Sequence, residues 1–557
     1  MESPSPTPSH ANPRPKTSRT PAILWTILIC ATLYACYFTH LDAVGLVGPD
    51  EPRYAWIARD MAESADFITP RLYGKPWFEK PPLYYWSAAL SFKLFGISET
   101  SARLPSAVFA LLATFAIAWL AFRIYGAETA RWILLLLPTS AGMIGFSHAA
   151  ATDMPFAATL TMAMLPAAVL LGLIPASRLE RTSSSSYTSS TLLMGVLLGF
   201  FLGLATLAKG PAAIILCAGA VFFWALLTKR WRDTIRLLHP SAIISFGVTA
   251  LPWYILCAIR NPDFFRVFII EHNFKRFLTP EFQHIQPFWY YTGIIPIAFL
   301  PWTAILLWAL FAGVKHLRRG PLSSSTIFVL CWSVFCIAFF TISVSKLPGY
   351  ILPAVPPIGL LLARACTFLA PSKRWPLALS SLLFSALCTA AFLASLDNSE
   401  RFLRNAVAFK PVIVLVLLLF IVANLLFGIL LAFRLRSAAL IAAVLPFFLA
   451  FRGFGAMTQF TPLSVLSSRY IADQVRADQM PLAQLRSFKL RRATLYGVNF
   501  YLRLELQEWN RDPSDEVYVL TEGLHCYNKP AQMNCDDLWI EQERLDVFDV
   551  LHLTPKK

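Results

Sequence analysis

The chain has 557 residues, of which 56% are hydrophobic and 14% charged, with a formal net charge of +16. That much apolar surface exceeds what a soluble core can bury, whereas a bundle of membrane-spanning helices takes about 20 such residues per span, so a soluble globular protein is excluded. The positive balance does not point to nucleic acid, because Lys and Arg stand in short clusters between apolar segments and form no long basic arm or face.

Residues 1–21 (MESPSPTPSHANPRPKTSRTP) are rich in Pro, Ser and Thr and carry Arg14, Lys16 and Arg19. Such a composition cannot offset the entropy lost on ordering, which predicts a disordered cytoplasmic tail. The apolar run 22–40 follows with no small-x-small cleavage site before Leu41 and reads as a retained signal anchor. Further apolar segments lie at 104–122, 131–147, 155–175, 191–208, 211–228, 239–259, 288–312, 325–343, 348–364, 376–396, 411–433 and 437–451, making about thirteen spans. Basic residues gather in alternate connections, at Arg123 and Arg131, Arg178 and Arg181, Lys229 to Arg232, Lys315 to Arg319, Lys373 and Arg374, and Arg434 and Arg436. The positive-inside rule puts those connections and the N-terminus in the cytoplasm, and an odd span count puts residues 452–557 outside.

Two longer outside segments, 41–103 and 260–287, hold several aromatic and ionisable residues, as functional loops of large bundles do. Within the first, PPLYYWSAALSFKLFG predicts a Pro-started helix with Leu83, Trp86, Leu90 and Leu94 on one face, and Tyr84, Tyr85 and Trp86 suit an interfacial position. In 452–557, SSRYIADQVR has helical spacing while ATLYGVNFYLRL, EVYVLTE and FDVLHLT alternate like strands, which predicts a small external α/β domain. Of the ten cysteines, all but Cys526 and Cys535 fall in or beside apolar segments. Those two are disulfide candidates in an oxidising compartment, with two free thiols as the alternative.

GPDEPRYAWIARD, residues 48–60, concentrates Asp50, Glu51, Arg53, Arg59 and Asp60 beside the first span. Asp50 either caps a helix or stands as a carboxylate at the rim of an outward cavity, able to take a proton or orient an acceptor. Glu79 and Lys80 form either a surface ion pair or a cation at the positive end of the next helix, where phosphate binds. Asp153 in SHAAATDMPF is again an N-cap or a second outer carboxylate. His272 in IIEHNFKRFL is a structural residue or, with Glu79, a ligand for a divalent ion. Lys346, near Tyr350 in SVSKLPGYILPAVPP, either snorkels or reaches a lipid phosphate, and Lys209 in LAKGPA reads as snorkelling. Together these charges on the outer side suit a substrate that is half lipid and half phosphate.

DEPRYAWIARDM, TPRLYGKPWFEKPPLYYW and FGISETSARLPSA, followed by ATDMP, EHNFKRFL and KLPGYILPAVPP, closely resemble bacterial polyprenyl-phosphate-dependent glycosyltransferases of the ArnT type, the aminoarabinose transferases of lipid A. The likeness runs from residue 22 to about 450. It implies a mainly α, polytopic membrane protein: a GT-C bundle over 22–451 with about thirteen transmembrane helices and interfacial helices in the first external loop, plus the external domain at 452–557. It implies an inverting enzyme of the bacterial inner membrane that passes a sugar from a polyprenyl (undecaprenyl) phosphate to a periplasmic glycolipid, glycan or protein. By the resemblance Asp50 and Asp153 are catalytic; Lys80 and Arg276, with Arg53, Lys346 and Tyr350, bind the lipid phosphate; and Glu79 with His272 would hold a Zn, Mg or Mn ion. The rival reading is a transporter or flippase of a lipid-linked sugar, which would place polar groups at the bilayer midplane on broken helices. A cytosolic synthase using a nucleotide sugar would need a phosphate-binding domain that no inside connection is long enough to hold.

Overall fold

The computed structural model describes residues 20–174, 184–275, 285–300, 302–317, 320–367, 467–510, 517–521, 538–545 and 548–555. The N-terminal half runs through α1 (Thr20–Phe38), α2 (Asp50–Ser64), a small hairpin β1 (Arg71–Leu72) and β2 (Lys75–Pro76), α3 (Leu83–Phe95), α4 (Glu99–Tyr125), α5 (Ala127–Leu136), α6 (Ala141–Ser147), α7 (Asp153–Leu170), α8 (Ser184–Lys209) and α9 (Ala212–Thr228). Helices Pro240–Arg260, Tyr290–Ala298, Thr303–Leu317, Ser324–Ile342 and Val355–Thr367 complete the described bundle. Among the described residues six helices are long and apolar enough to cross a membrane, or seven if one bent pair is a single span. Their outer faces carry apolar side chains in the open, such as Val248 (71% exposed) and Ile342 (74%), which fits lipid rather than water as the neighbour. The expected spans at 376–396, 411–433 and 437–451 lie outside the described residues, as does the expected tail up to residue 19.

Two expected spans are not single straight helices. The segment 131–147 is split into α5 and α6, bent by 60°. Pro138 removes a backbone donor there, and the Thr139 and Ser140 hydroxyls donate to the carbonyls of Leu135 and Leu137 that a continuing helix would use. The segment 288–312 is likewise two helices, Tyr290–Ala298 and Thr303–Leu317. Helix α3 forms as expected, but its two tyrosines turn inward. Tyr84 and Tyr85 are fully buried, while Leu90, Leu94 and Phe95 are exposed on the other side.

Helix α8 lies against Pro240–Arg260 through glycines spaced every fourth residue, Gly195, Gly199 and Gly203. A Cβ at Gly199 would fall 2.1 Å from the Ala242 carbonyl oxygen, so only glycine permits this backbone approach. The close seam fixes the last turn of α8, where Lys209 sits.

Residues 467–555 contain helices Arg469–Ala477 and Arg492–Leu502 and a five-stranded mixed sheet of order β4-β3-β5-β7-β6, made of β3 (Leu485–Phe488), β4 (Gln507–Glu508), β5 (Val517–Thr521), β6 (Leu538–Leu545) and β7 (Phe548–Pro555). Strand β3 pairs in parallel with β4 and β5, and β7 pairs antiparallel with β5 and β6. Strands were expected in EVYVLTE and FDVLHLT, where β5 and β7 lie. The segment ATLYGVNFYLRL was expected as a strand and is the helix Arg492–Leu502. That helix is buried on two faces: Phe500 packs with α2 and α3, and Val498 and Leu502 pack with the sheet. Two interleaved apolar stripes give an alternating sequence that imitates a strand.

The loop between α1 and α2 is held by one buried carboxylate. Glu51 Oε2 accepts from Arg103 Nη2 at 2.6 Å and from the Val47 N–H at 2.8 Å, while Oε1 accepts from Arg103 Nε at 3.1 Å and the Ala150 N–H at 2.6 Å. Arg103 in turn donates to the carbonyls of Leu41, Val44 and Gly45. Removing one partner leaves the other charge buried and unpaired, which costs about 3–5 kcal/mol. Glu51→Ala and Arg103→Ala are therefore each expected to lower the thermal unfolding midpoint of the purified protein in detergent by several degrees or to prevent its accumulation, and a midpoint equal to wild type in both would contradict the assignment.

Candidate active site

Helix α2 starts at Asp50, with Pro49 as the preceding residue and no side-chain cap. Asp50 is therefore not the N-cap; its carboxylate turns one helical step inward to Arg53 Nη2 at 2.5 Å. Arg53 reaches on to Glu79 Oε2 at 3.0 Å, and Lys80 Nζ lies 3.8 Å from Glu79 Oε1. Arg53 and Glu79 are buried, and the guanidinium is flanked by the rings of Tyr54, Trp77 and Tyr496 at 5.2, 5.3 and 5.8 Å. A planar guanidinium suits this place because it pairs two carboxylates and stacks on aromatic faces at once.

Asp153 opens α7 and is also not a cap; it accepts from Lys209 Nζ at 2.5 Å. The ammonium of Lys209 stands over the Tyr350 ring at 4.5 Å and the Phe156 ring at 5.5 Å. Lys209, expected to snorkel, is thus half of an ion pair. Gly349 makes room for it, since a Cβ there would fall 2.8 Å from Asp153 Cγ. Lys346 is buried and donates to the carbonyls of Ser343 at 2.6 Å and Gln286 at 3.3 Å. Tyr291 ties the same turn by donating to the Leu347 carbonyl.

Asp50 keeps 49% of its side-chain surface open. The low-dielectric wall behind it nevertheless pushes its carboxyl above the usual carboxylate range; Arg53 and Lys80 oppose the rise, while the charges of Glu79 and Asp153 add to it. The two electrostatic groups, Asp50–Arg53–Glu79–Lys80 and Asp153–Lys209, therefore act on each other.

His272 lies in the π-helical turn Arg266–Lys275. Just ahead of it, Phe264 packs edge-on against Phe78 at 5.3 Å, which sets this segment beside the Glu79–Lys80 turn. The expected metal pair fits poorly. Glu79 already faces two cations, and among the described residues no three His, Cys, Asp or Glu side chains are grouped as a metal centre requires. Arg276, Cys526 and Cys535 lie outside the described residues. Arg103 and Tyr496 were not singled out by the sequence, and Glu51 was named there only among the charges of residues 48–60, because each acts on a residue far along the chain.

Residues 23–268 match the family profile described as dolichyl-phosphate-mannose-protein mannosyltransferase. The chain is 32% identical over 339 residues to the undecaprenyl phosphate-alpha-4-amino-4-deoxy-L-arabinose arabinosyl transferase of Enterobacter sp. (strain 638), covering 61% of this chain and 58% of that one. It is 33% identical over 341 residues to the enzyme of the same name from Edwardsiella ictaluri (strain 93-146), with 61% and 58% covered. The chain thus spans 58% of the length of these curated relatives. The crystal structure of ArnT from Cupriavidus metallidurans bound to undecaprenyl phosphate superposes with a TM-score of 0.79 at 23% identity, over 96% of this chain and 98% of that chain. The fold is that of ArnT. The same ArnT in its apo state superposes with a TM-score of 0.77. The ArnT-like fold carries the charged clusters on the first turn of α2, on the α2–α3 connection, at the start of α7 and at the end of α8.

The raised Asp50 carboxyl has a consequence for stability. A folded group that holds its proton more tightly than the unfolded chain is destabilising once ionised, so the contribution is absent below the ordinary value of 3.8 and grows as pH rises through the raised one. Asp50→Asn, neutral at every pH, is expected to melt above wild type at neutral pH, with a gap that narrows as pH falls toward 3.8. Thermal unfolding in detergent at both ends of that range checks it, and a gap that widens on acidification would refute the sign.

Proposed function

We propose that this protein is an inverting glycosyltransferase that moves a sugar from a polyprenyl phosphate to a glycolipid, glycan or protein acceptor at the periplasmic face of a bacterial inner membrane. The observation that carries the reading is the grouping of Asp50, Arg53, Glu79 and Lys80, with the Asp153–Lys209 pair near enough to act on the Asp50 carboxyl, beside helices whose outer faces are apolar. The ArnT-like fold and the similarity to undecaprenyl-phosphate aminoarabinose transferases support it. The tail at 1–21 is then cytoplasmic, the bundle occupies 22–451, and 452–557 is periplasmic.

In this reaction the acceptor oxygen forms a bond to the anomeric carbon from the face opposite the lipid phosphate, and the sugar–oxygen bond to that phosphate breaks with its electron pair. Negative charge grows on the leaving phosphate, and preorganised cations there are worth a few kcal/mol each in the transition state, an order-of-magnitude figure of about 3. Lys346 suits the role: its buried ammonium has two backbone carbonyls and no carboxylate in ion-pair range among the described residues. Lys80, Arg53, Tyr350 and Arg276 are assigned to the same phosphate. Asp50, half open and close to Asp153 in electrostatic terms, positions the sugar and acceptor; for a hydroxyl acceptor its raised carboxyl also makes a stronger base. An ionised phosphate acceptor needs no base. A transporter is disfavoured, because the charges gather at helix ends instead of at mid-span.

Incubation of the purified protein with a polyprenyl-phosphate sugar extract and envelope glycolipid, followed by mass spectrometry, tests the reading. Wild type is expected to add one sugar mass to the acceptor, Asp50→Asn and Lys346→Ala to turn over about 100- to 1,000-fold more slowly, and neither variant to lose protein. Transfer at the wild-type rate in both variants, or no transfer by wild type, would remove it.

A further inference from the structure

Tyr84 and Tyr85 are neighbours on α3, and both are fully buried. Their hydroxyls fare differently. Tyr84 donates to the Ala102 carbonyl at 2.9 Å, whereas the Tyr85 hydroxyl is buried with no hydrogen-bond partner among the described residues. A buried phenol left unpaired is costly, so its retention calls for an explanation, such as a role in binding or catalysis. The Tyr85 ring is held edge-on by Tyr54 at 5.8 Å and by Tyr84 at 6.1 Å, so the hydroxyl is aimed by rigid packing. The charges acting on it are those of Glu79, Arg53 and Asp50. Beside it on the same wall, Arg53 Nε is a second buried donor with no partner among the described residues.

We infer that Tyr85 donates a hydrogen bond to the sugar that the protein transfers, which makes it a substrate-binding residue of the reaction proposed above. The balance of charge selects the ligand: Asp50 and Glu79 against Arg53 and Lys80 leave this wall no net positive charge to draw a phosphate inward, while a ring of hydroxyls accepts from Tyr85 and Arg53 Nε and donates to Asp50. Burial keeps the phenol protonated, so it stays a donor throughout the working pH range. The lipid phosphate is left to the Lys346 side of the site, with Lys80 and the Arg53 Nη atoms at the boundary where sugar and phosphate join. This inference rests on the transferase reading and narrows it, assigning the α2–α3 wall to the sugar.

The test compares full-length wild type, Tyr85→Phe and Tyr84→Phe in lipid nanodiscs. Tyr85→Phe is expected to melt at or above the wild-type temperature, because it loses an unpaired hydroxyl, while Tyr84→Phe melts lower because it loses a made bond. Tyr85→Phe is expected to bind undecaprenyl phosphate, which carries no sugar, as wild type does. Its kcat/KM for transfer from native polyprenyl-phosphate sugars is expected to fall about tenfold or more. Wild-type transfer by Tyr85→Phe overturns the inference, as does a lowered melting temperature or a matching loss of undecaprenyl phosphate binding, which would move the hydroxyl to the fold or to the phosphate. Absence of transfer by wild type would instead bring down the transferase reading itself.

Discussion

The carboxylate of Glu51 is where the architecture of the site is decided. It is one residue from Asp50 and bonds the Ala150 N–H, three residues before Asp153. Through Arg103 it also binds the entrance to α4 and the chain leaving α1. A single buried ion pair therefore sets the spacing of the Asp50 and Asp153 carboxylates, which come from segments about a hundred residues apart. Its full complement of hydrogen bonds is what makes a buried pair tolerable, since desolvation of two charges otherwise consumes the attraction between them.

A second set of contacts joins this frame to residues 467–510. Tyr501 accepts from the Leu46 N–H and donates to Glu99, Arg469 donates to the Asp42 carbonyl and to Glu99, and Asn499 donates to the Tyr73 hydroxyl. Arg59 donates to the Phe500 carbonyl and stacks on Trp56. The charges of GPDEPRYAWIARD are thus divided between two tasks. Asp50 and Arg53 turn toward Glu79 and Lys80, whereas Glu51 and Arg59 fasten the loop to the bundle and to the C-terminal helices.

Much of this was legible in the sequence, and what was not has a common cause. Long apolar runs announce helices whatever they pack against, so α4, α7 and Pro240–Arg260 stand close to where hydropathy put them. Residues near each other in the chain, such as Asp50 with Arg53 or Glu79 with Lys80, invite a joint reading. Lys209 and Asp153 are 56 residues apart, and Arg103 and Glu51 are 52 apart. Nothing local distinguishes either cation from one that snorkels or caps. The helix Arg492–Leu502 failed for a different reason: Tyr496, Val498, Phe500 and Leu502 alternate because two opposite neighbours each claim every fourth residue. Periodicity reports burial, and a helix buried on both sides borrows the signature of a strand. The Tyr85 hydroxyl, without a partner among the described residues, was beyond reach for the opposite reason: no sequence pattern marks a bond that is missing.

Tyr496 closes the aromatic cage around Arg53 from a helix made at the far end of the chain, where the neighbouring Arg59–Phe500 contact joins residues 441 positions apart. During synthesis the membrane helices and the Asp50 loop are in place long before that helix leaves the ribosome. Until that helix is made, the Arg53 guanidinium lacks one of its three aromatic neighbours, so the finished charge cluster is a product of chain segments hundreds of residues apart and not of the α2 region alone.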